Sequence, residues 1–281
     1  MRVAVITIAA GRERHLARQR ASLGSFCAPG RYVVVAMGDG ATACCRQACG
    51  PEADVIAVDV GLQGLPLAHA RNAGALHAIA RGAELLVFLD VDCLPGPRLL
   101  ERYQTAAASA PTSLLCGPVA CLPPPGREGY RDEDLEELAR PHPARPVPAE
   151  DALVHTRDHE LFGTLSFAVT AETWRAVGGF CEDYVGYGGE DTDFGQLAAR
   201  AGVDLCWVGG AWAYHQFHPT QDPPVHHLDD ILRNAATFHR RWGWWPMIGW
   251  LKAFTELGLT DGLEPAEQWR LGQAGRSPTP P

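Results

Sequence analysis

Leu85-Leu86-Val87-Phe88-Leu89-Asp90-Val91-Asp92 is a run of five apolar residues leading directly into two carboxylates. A run this short and wholly apolar reads as a strand buried on both faces, which places it in a parallel sheet covered by helices. The residues upstream repeat the arrangement. Pro66 to Ala80 is Ala-rich and reads as a helix stopped by Arg81-Gly82. Asp54 to Val60 reads as a strand, and Tyr32 to Met37 as another, closed by Gly38-Asp39-Gly40. Val3 to Ile8 opens the series as a β-branched strand, Gly11 ends it, and Arg12 to Leu23 reads as a helix with charges on its outer face. Short strands alternating with helices predict an α/β fold whose ligands bind beyond the carboxyl ends of the strands. The residues there are Ala9 to Arg12, Asp39, and Asp90 to Cys93.

Downstream the pattern changes. Pro123 to Glu150 holds Pro-Pro-Pro, an acidic stretch from Asp132 to Glu137, and Arg-Pro-His-Pro-Ala-Arg-Pro. This density of proline predicts a long surface excursion with a short helix inside, either a mobile lid or an inert insertion. Leu161 to Thr170 reads as strand, Ala171 to Val177 as a short helix, Phe194 to Ala201 as helix, and Asp204 to Val208 as strand. Leu228 to Arg241 is amphipathic, and the last ten residues read as frayed.

Composition narrows the function. The chain has 281 residues with 46% hydrophobic and 20% charged, enough apolar material for a core. Its net charge of −9 argues against sequence-independent nucleic-acid binding, where Lys and Arg must neutralise phosphates. No stretch approaches the ~20 apolar residues of a membrane span, and the first residues read as a strand rather than a signal peptide. Nine cysteines without a Cys-x-x-Cys pattern predict reduced thiols and a cytoplasmic setting. Cys44, Cys45 and Cys49 read either as small buried side chains or as metal ligands, although His partners at zinc spacing are missing.

Three groups of residues carry chemistry. Asp90 and Asp92 leave the strand end on the same side and suit Mg²⁺ or Mn²⁺, which bind carboxylates together with substrate phosphates. Gly188-Gly189-Glu190-Asp191-Thr192-Asp193 opens a helix whose dipole favours ionised carboxylates, one of which could act as a general base; Asp191 or Thr192 could equally serve as N-cap. His215 and His218, at i and i+3, could share a metal, and imidazole favours Mn²⁺ over Mg²⁺.

The Asp90-Val91-Asp92 strand end, with Asp39 and Arg71-Asn72, resembles family 2 glycosyltransferases of the GT-A fold over about residues 1 to 115. The run from Phe162-Gly163 through Gly178-Gly179-Phe180 to Tyr187-Gly188-Gly189-Glu190-Asp191-Thr192-Asp193 resembles the catalytic region shared by β-1,4-galactosyltransferases and polypeptide N-acetylgalactosaminyltransferases. The resemblance implies a Rossmann-like, mostly parallel sheet flanked by helices, a single domain. Its nucleotide-sugar half would span 1–115 and its acceptor half 116–220, with 123–150 as a Pro-rich loop and 221–281 as a helical extension. It further implies inverting, metal-dependent transfer of a hexose (Gal, GalNAc, Glc or GlcNAc) from a UDP-sugar to an acceptor hydroxyl. By the same resemblance, Thr7, Ala9 and Arg12 belong to the loop holding nucleobase and ribose, Asp39 contacts the base, and Arg71 approaches the diphosphate. Asp90 touches the ribose or a metal-bound water, and Asp92, His218 and His215 hold Mn²⁺ or Mg²⁺. Asp191 is the base, and Glu190 holds sugar hydroxyls.

Two positions depart from the pattern. Tyr187 stands where the galactosyltransferases have Trp, and Leu161 where those that exclude N-acetyl donors have Tyr, which leaves room for an acetamido group. The acceptor implied is a carbohydrate or a lipid-linked one; Arg240 to Lys252 holds four of the eight Trp residues and reads in three ways: a helix packed over the sheet, a homodimer interface, or a peripheral contact at the inner membrane face that would bring the enzyme to a lipid-linked acceptor. Competing functions are a sugar nucleotidyltransferase and a non-catalytic binding protein for carbohydrate or nucleotide sugar.

Overall fold

The computed structural model describes residues 1–260. Its main sheet has eight strands in the order β3, β2, β1, β4, β10, β6, β11, β9. These are β1 (Val3–Ala9), β2 (Tyr32–Met37), β3 (Asp54–Val58), β4 (Leu85–Leu89), β6 (Leu114–Cys116), β9 (Leu153–Thr156), β10 (Ser166–Thr170) and β11 (Leu205–Val208). The four N-terminal strands are parallel, whereas β10 runs antiparallel between β4 and β6, and β9 antiparallel beside β11. A smaller sheet, in the order β5, β12, β7, β8, is built from β5 (Cys93–Pro95), β7 (Val119–Cys121), β8 (Arg140–Pro141) and β12 (Ala213–His215).

Alternation along β1 explains why helices cover both faces. Val3, Val5 and Ala9 face α1 (Glu13–Leu23), α2 (Ala41–Cys49) and α4 (Leu99–Ser109). Ala4, Ile6 and Ile8 face α3 (Leu67–Ala80), α6 (Ala171–Val177) and α7 (Glu190–Arg200). The α3 backbone approaches so closely at Gly74 that a Cβ there would lie 2.5 Å from Ile6 Cγ2. Under α7 the apolar layer is aromatic: Phe88 stacks on Phe167 at 4.5 Å, and Phe180 on Phe194 at 4.2 Å. This is where the Gly178-Gly179-Phe180 segment goes. Asn72 grips it, donating to Phe180 O and accepting from Phe180 N.

The proline-rich excursion contains a short 3₁₀ turn (Asp132–Asp134) running into α5 (Leu135–Leu138), and β8, so it holds little regular structure, as its composition predicts. The segment predicted as strand from Leu161 is strand only from Ser166; residues 162–165 bend away from the sheet into the cleft described below. The strand predicted to reach Val60 ends at Val58, where the chain turns towards α3. The last of the described elements are α8 (Leu228–Trp242) and α9 (Ile248–Glu256), which bury Ile231, Ala235, Leu251 and Phe254 against each other. The last ten residues, predicted from the sequence as frayed, lie outside the described residues. Among the described residues no helix is long and apolar enough to cross a membrane.

Candidate active site

The carboxyl ends of β1, β4 and the N-terminus of α7 open onto one cleft of about 1000 Å³. Asp90 and Asp92 reach it because β4 stops at Leu89 and the chain turns, with Cys93 N donating to Asp90 O at 2.8 Å. The small sheet then brings the histidines to them. His215 pairs with Cys93 in the β12–β5 ladder, and Gln216 N donates to Asp92 O at 2.7 Å. His215 Nε2 lies 3.6 Å and His218 Nε2 3.3 Å from the Asp92 carboxylate, with Arg12 at 3.7 Å. One ligand atom from each of Asp92, His215 and His218 falls within 4.8 Å of the others. One carboxylate and two imidazoles form a donor set that fits Mn²⁺ or a similar divalent ion.

Electrostatics at this pole follow from contact and burial. The Asp92 hydrogen bond raises the His218 pKa above the ordinary imidazole value, against burial. Burial dominates at His215 and lowers its pKa despite the same carboxylate. Burial works against ionised Asp92, but His218, His215 and Arg12 outweigh it and hold the carboxyl below its usual range.

The second pole is built around Arg71, a buried guanidinium on α3. It donates to Glu190 Oε1 at 3.1 Å, to Asp90 Oδ1 at 3.3 Å and to Thr164 Oγ1 at 2.9 Å. Glu190 Oε2 is buried and has no hydrogen-bond partner among the described residues. Burial and the neighbouring Asp191 charge push the Glu190 pKa up to about 7, although Arg71 pulls the other way. Gly189, at φ 91°, caps α7 without a side-chain cap. Asp191 therefore lies inside the first turn, where its Oδ1 accepts from Thr192 N at 2.7 Å. Its Oδ2 lies 3.7 Å from the place a Cβ on Gly163 would occupy. The third carboxylate of the run has another task. Asp193 is fully buried and accepts from Tyr184, Arg241 and Trp242, which fastens the end of α8 to α7.

Facing these acids is an aromatic wall. Tyr187 stacks on His227 at 4.5 Å and leans on Trp250 at 5.8 Å; Trp244, Trp245 and Met247 continue the lining. Gly188 permits this approach, since a Cβ there would lie 2.8 Å from Met247 Sδ. The Trp-rich segment joins α8 to α9, is tied to α7 by Trp242 on Asp193, and lines the cleft. Leu161 lines the cleft beside Phe162.

Three residues expected at the nucleotide do not reach the cleft. Thr7 is 1% exposed, with its hydroxyl between Gln19 and Leu89, because its side chain lies in the layer beneath the strand ends. Ala9, two residues on, faces the same α1 layer, so Ile8, Ala10 and Arg12 form the wall there. Asp39 stands exposed in the turn beyond β2, and Met37 lines the cleft instead. The clustered cysteines do not form a ligand set: Cys45 and Cys49 face the core one helical turn apart, and Cys44 faces solvent.

Residues 149–219 match the family described as the N-terminal domain of galactosyltransferase. Among solved structures, GalNAc-T7 with UDP, GalNAc and Mn²⁺ superposes with a TM-score of 0.55 at 16% identity, covering 78% of this chain and 43% of that one. TarS 1–349 of S. aureus in complex with UDP-GlcNAc superposes with a TM-score of 0.55 at 13% identity, covering 97% and 79%. The chain has the GT-A glycosyltransferase fold. Two curated relatives share 28% identity with this GT-A chain, and both are named validoxylamine A glucosyltransferase. One, from Streptomyces hygroscopicus subsp. limoneus, aligns over 89% of the chain and 59% of its own length. The other, from S. hygroscopicus subsp. jinggangensis, aligns over 93% and 65%. The chain thus spans about three fifths to two thirds of these relatives.

Proposed function

We propose that this protein is a glycosyltransferase that moves a hexose from a UDP-sugar to an acceptor hydroxyl with inversion, using Mn²⁺ or Mg²⁺. The observation that carries this reading is that one cleft is lined both by Asp92, whose carboxylate meets His215 and His218, and by the Glu190–Asp191 pair joined to Asp90 through Arg71. Asp92, His215 and His218 would hold the ion. When bound, it supplies positive charge to the leaving diphosphate. Asp191 accepts the proton of the acceptor hydroxyl, and the acceptor oxygen displaces the nucleotide at the anomeric carbon in one step. Glu190, with an unpartnered oxygen and a pKa near 7, can donate to or accept from a sugar hydroxyl. The faces of Tyr187, Trp245 and Trp250 suit the apolar face of a sugar-like ring as acceptor.

The names of the two relatives put glucose first among the donors to test. Galactose, GlcNAc and GalNAc follow, since Leu161 is smaller than the Tyr of galactosyltransferases that exclude N-acetyl groups. The test is titration calorimetry of UDP with and without Mn²⁺, followed by UDP release from each UDP-sugar. Mn²⁺-dependent binding and turnover with one of them are expected. Failure to bind UDP in either condition would overturn the reading.

A further inference from the structure

The helix α1 buries Leu16, Gln19 and Leu23 along one stripe. Spacing of i, i+3 and i+7 marks the core-facing side, where a leucine would be ordinary at the middle position. Gln19 is instead fully buried and uses both ends of its amide. Its Nε2 donates to Asp90 O and to Cys93 O, each at 2.8 Å. Carbonyl oxygens only accept, so the amide orientation is fixed by these two contacts. Its Oε1 then accepts from Tyr32 Oη at 2.8 Å and lies 2.9 Å from Thr7 Oγ1. The Thr7 hydroxyl also reaches Leu89 O at 2.9 Å, so its single proton serves one of two acceptors.

The two carbonyls that Gln19 holds are the ends of the turn closed by Cys93 N and Asp90 O. Asp92 sits inside that turn. The backbone of the turn is also held from segments flanking the neighbouring strands, where Asp90 N donates to Leu165 O and Gln216 N to Asp92 O, and Arg71 holds the Asp90 side chain from α3. Gln19 is the side chain that ties the turn to the core formed by β1, β2 and α1.

We infer that Gln19 is the positioning residue of the metal site: it fixes the Asp90–Cys93 turn so that the Asp92 carboxylate meets His215 and His218. This rests on the metal-binding reading above. Gln19 touches neither ion nor substrate, and it acts by denying the turn other conformations. Outer partners of this kind typically set about 10–100-fold in metal affinity.

The experiment is a Mn²⁺ titration followed by electron paramagnetic resonance on the wild type, Gln19→Leu, Gln19→Glu and Tyr32→Phe, with a thermal melt on each. Tyr32→Phe breaks the same buried network on the side away from the turn, so it reports a purely structural loss. Gln19→Glu keeps the Tyr32 contact but sets a carboxylate against two carbonyls, and it serves where Gln19→Leu does not fold. The expected result is a Mn²⁺ affinity at least about tenfold weaker in the Gln19 variants, with Tyr32→Phe within about twofold of wild type even where its melting temperature falls as far. Folded Gln19 variants that bind Mn²⁺ like wild type, or a Tyr32→Phe loss equal to theirs, would overturn the inference while leaving the metal reading intact. A wild type that takes up no Mn²⁺ would overturn both.

Discussion

The two poles of the cleft are built differently. Around Asp92 the contacts are long, 3.3 to 3.7 Å, and three cationic or basic groups share one carboxylate. Around Arg71 they are shorter, 2.9 to 3.3 Å, each hydrogen-bonded, and Arg71 and Glu190 are nearly sealed from water. A loosely held carboxylate among imidazoles can exchange those contacts for an ion at little cost. A buried guanidinium between two acids cannot, because removing one partner leaves an uncompensated charge. The first pole is suited to loading, and the second to holding acids in set positions and ionisation states.

The largest effect that tests this contrast belongs to Asp191. Asp191→Asn removes the proton acceptor and leaves both poles standing. Transfer should fall by about 10²–10⁴-fold, the usual contribution of a general base. UDP binding and its response to Mn²⁺ should not change. Turnover above about a tenth of wild type would remove Asp191 from the role of base.

A smaller effect, confined to the loading pole, is expected for His218→Ala. The Mn²⁺ concentration for half-maximal activity should rise about tenfold or more, a typical loss when a metal site is weakened, while kcat at saturating metal stays close to wild type. An unchanged metal titration would take His218 out of the donor set.

How much of this was legible in the sequence follows the same division. The strands β2 and β4 lie where their apolar runs place them, because strands buried on both faces leave no ambiguity of pattern. The acids at the end of β4 could be placed because they follow directly on a well-marked strand, and those at the start of α7 because a glycine pair precedes them where a helix opens. Direction within the first strand was not legible. Thr7 and Ala9 point away from the cleft, and only the pairing of β1 with β2 and β4 decides that. Residues 162–165 read as strand by composition, yet Thr164 is drawn out of the sheet to Arg71, and Arg145 of the proline-rich excursion holds Gly163 O at 2.7 Å. Contacts between segments so distant in sequence leave no local pattern. Gln19 did leave one, a polar residue on the apolar stripe of α1. The aromatic wall could be counted in the sequence, but the Asp193 anchor that turns it towards the acids is a long-range contact.

The smallest effect belongs to the second pole and is read as stability. Burial and Asp191 raise the Glu190 pKa from 4.5 to about 7, so between those values the folded chain binds a proton that the unfolded chain has released. Stability must then fall as pH rises across that window, since it rises with pH only where the unfolded state holds more protons. Burial beside Asp92 also raises the Asp90 pKa, against Arg71, so its slope has the same sign. Glu190→Gln removes one of the two contributions. Its melting temperature should decline less than that of the wild type between pH 5 and pH 7, and the two curves should run parallel above about pH 8, where the wild-type carboxyl is ionised in both states. The loading pole gives the contrast. His218, with a raised pKa, adds stability at low pH that is lost as pH rises through its folded value, and Mn²⁺ should abolish that loss by replacing the proton. A Glu190→Gln curve that keeps the full wild-type slope without Mn²⁺ and loses it when Mn²⁺ is added would place the titrating group at the metal pole, and Glu190 would no longer account for the slope.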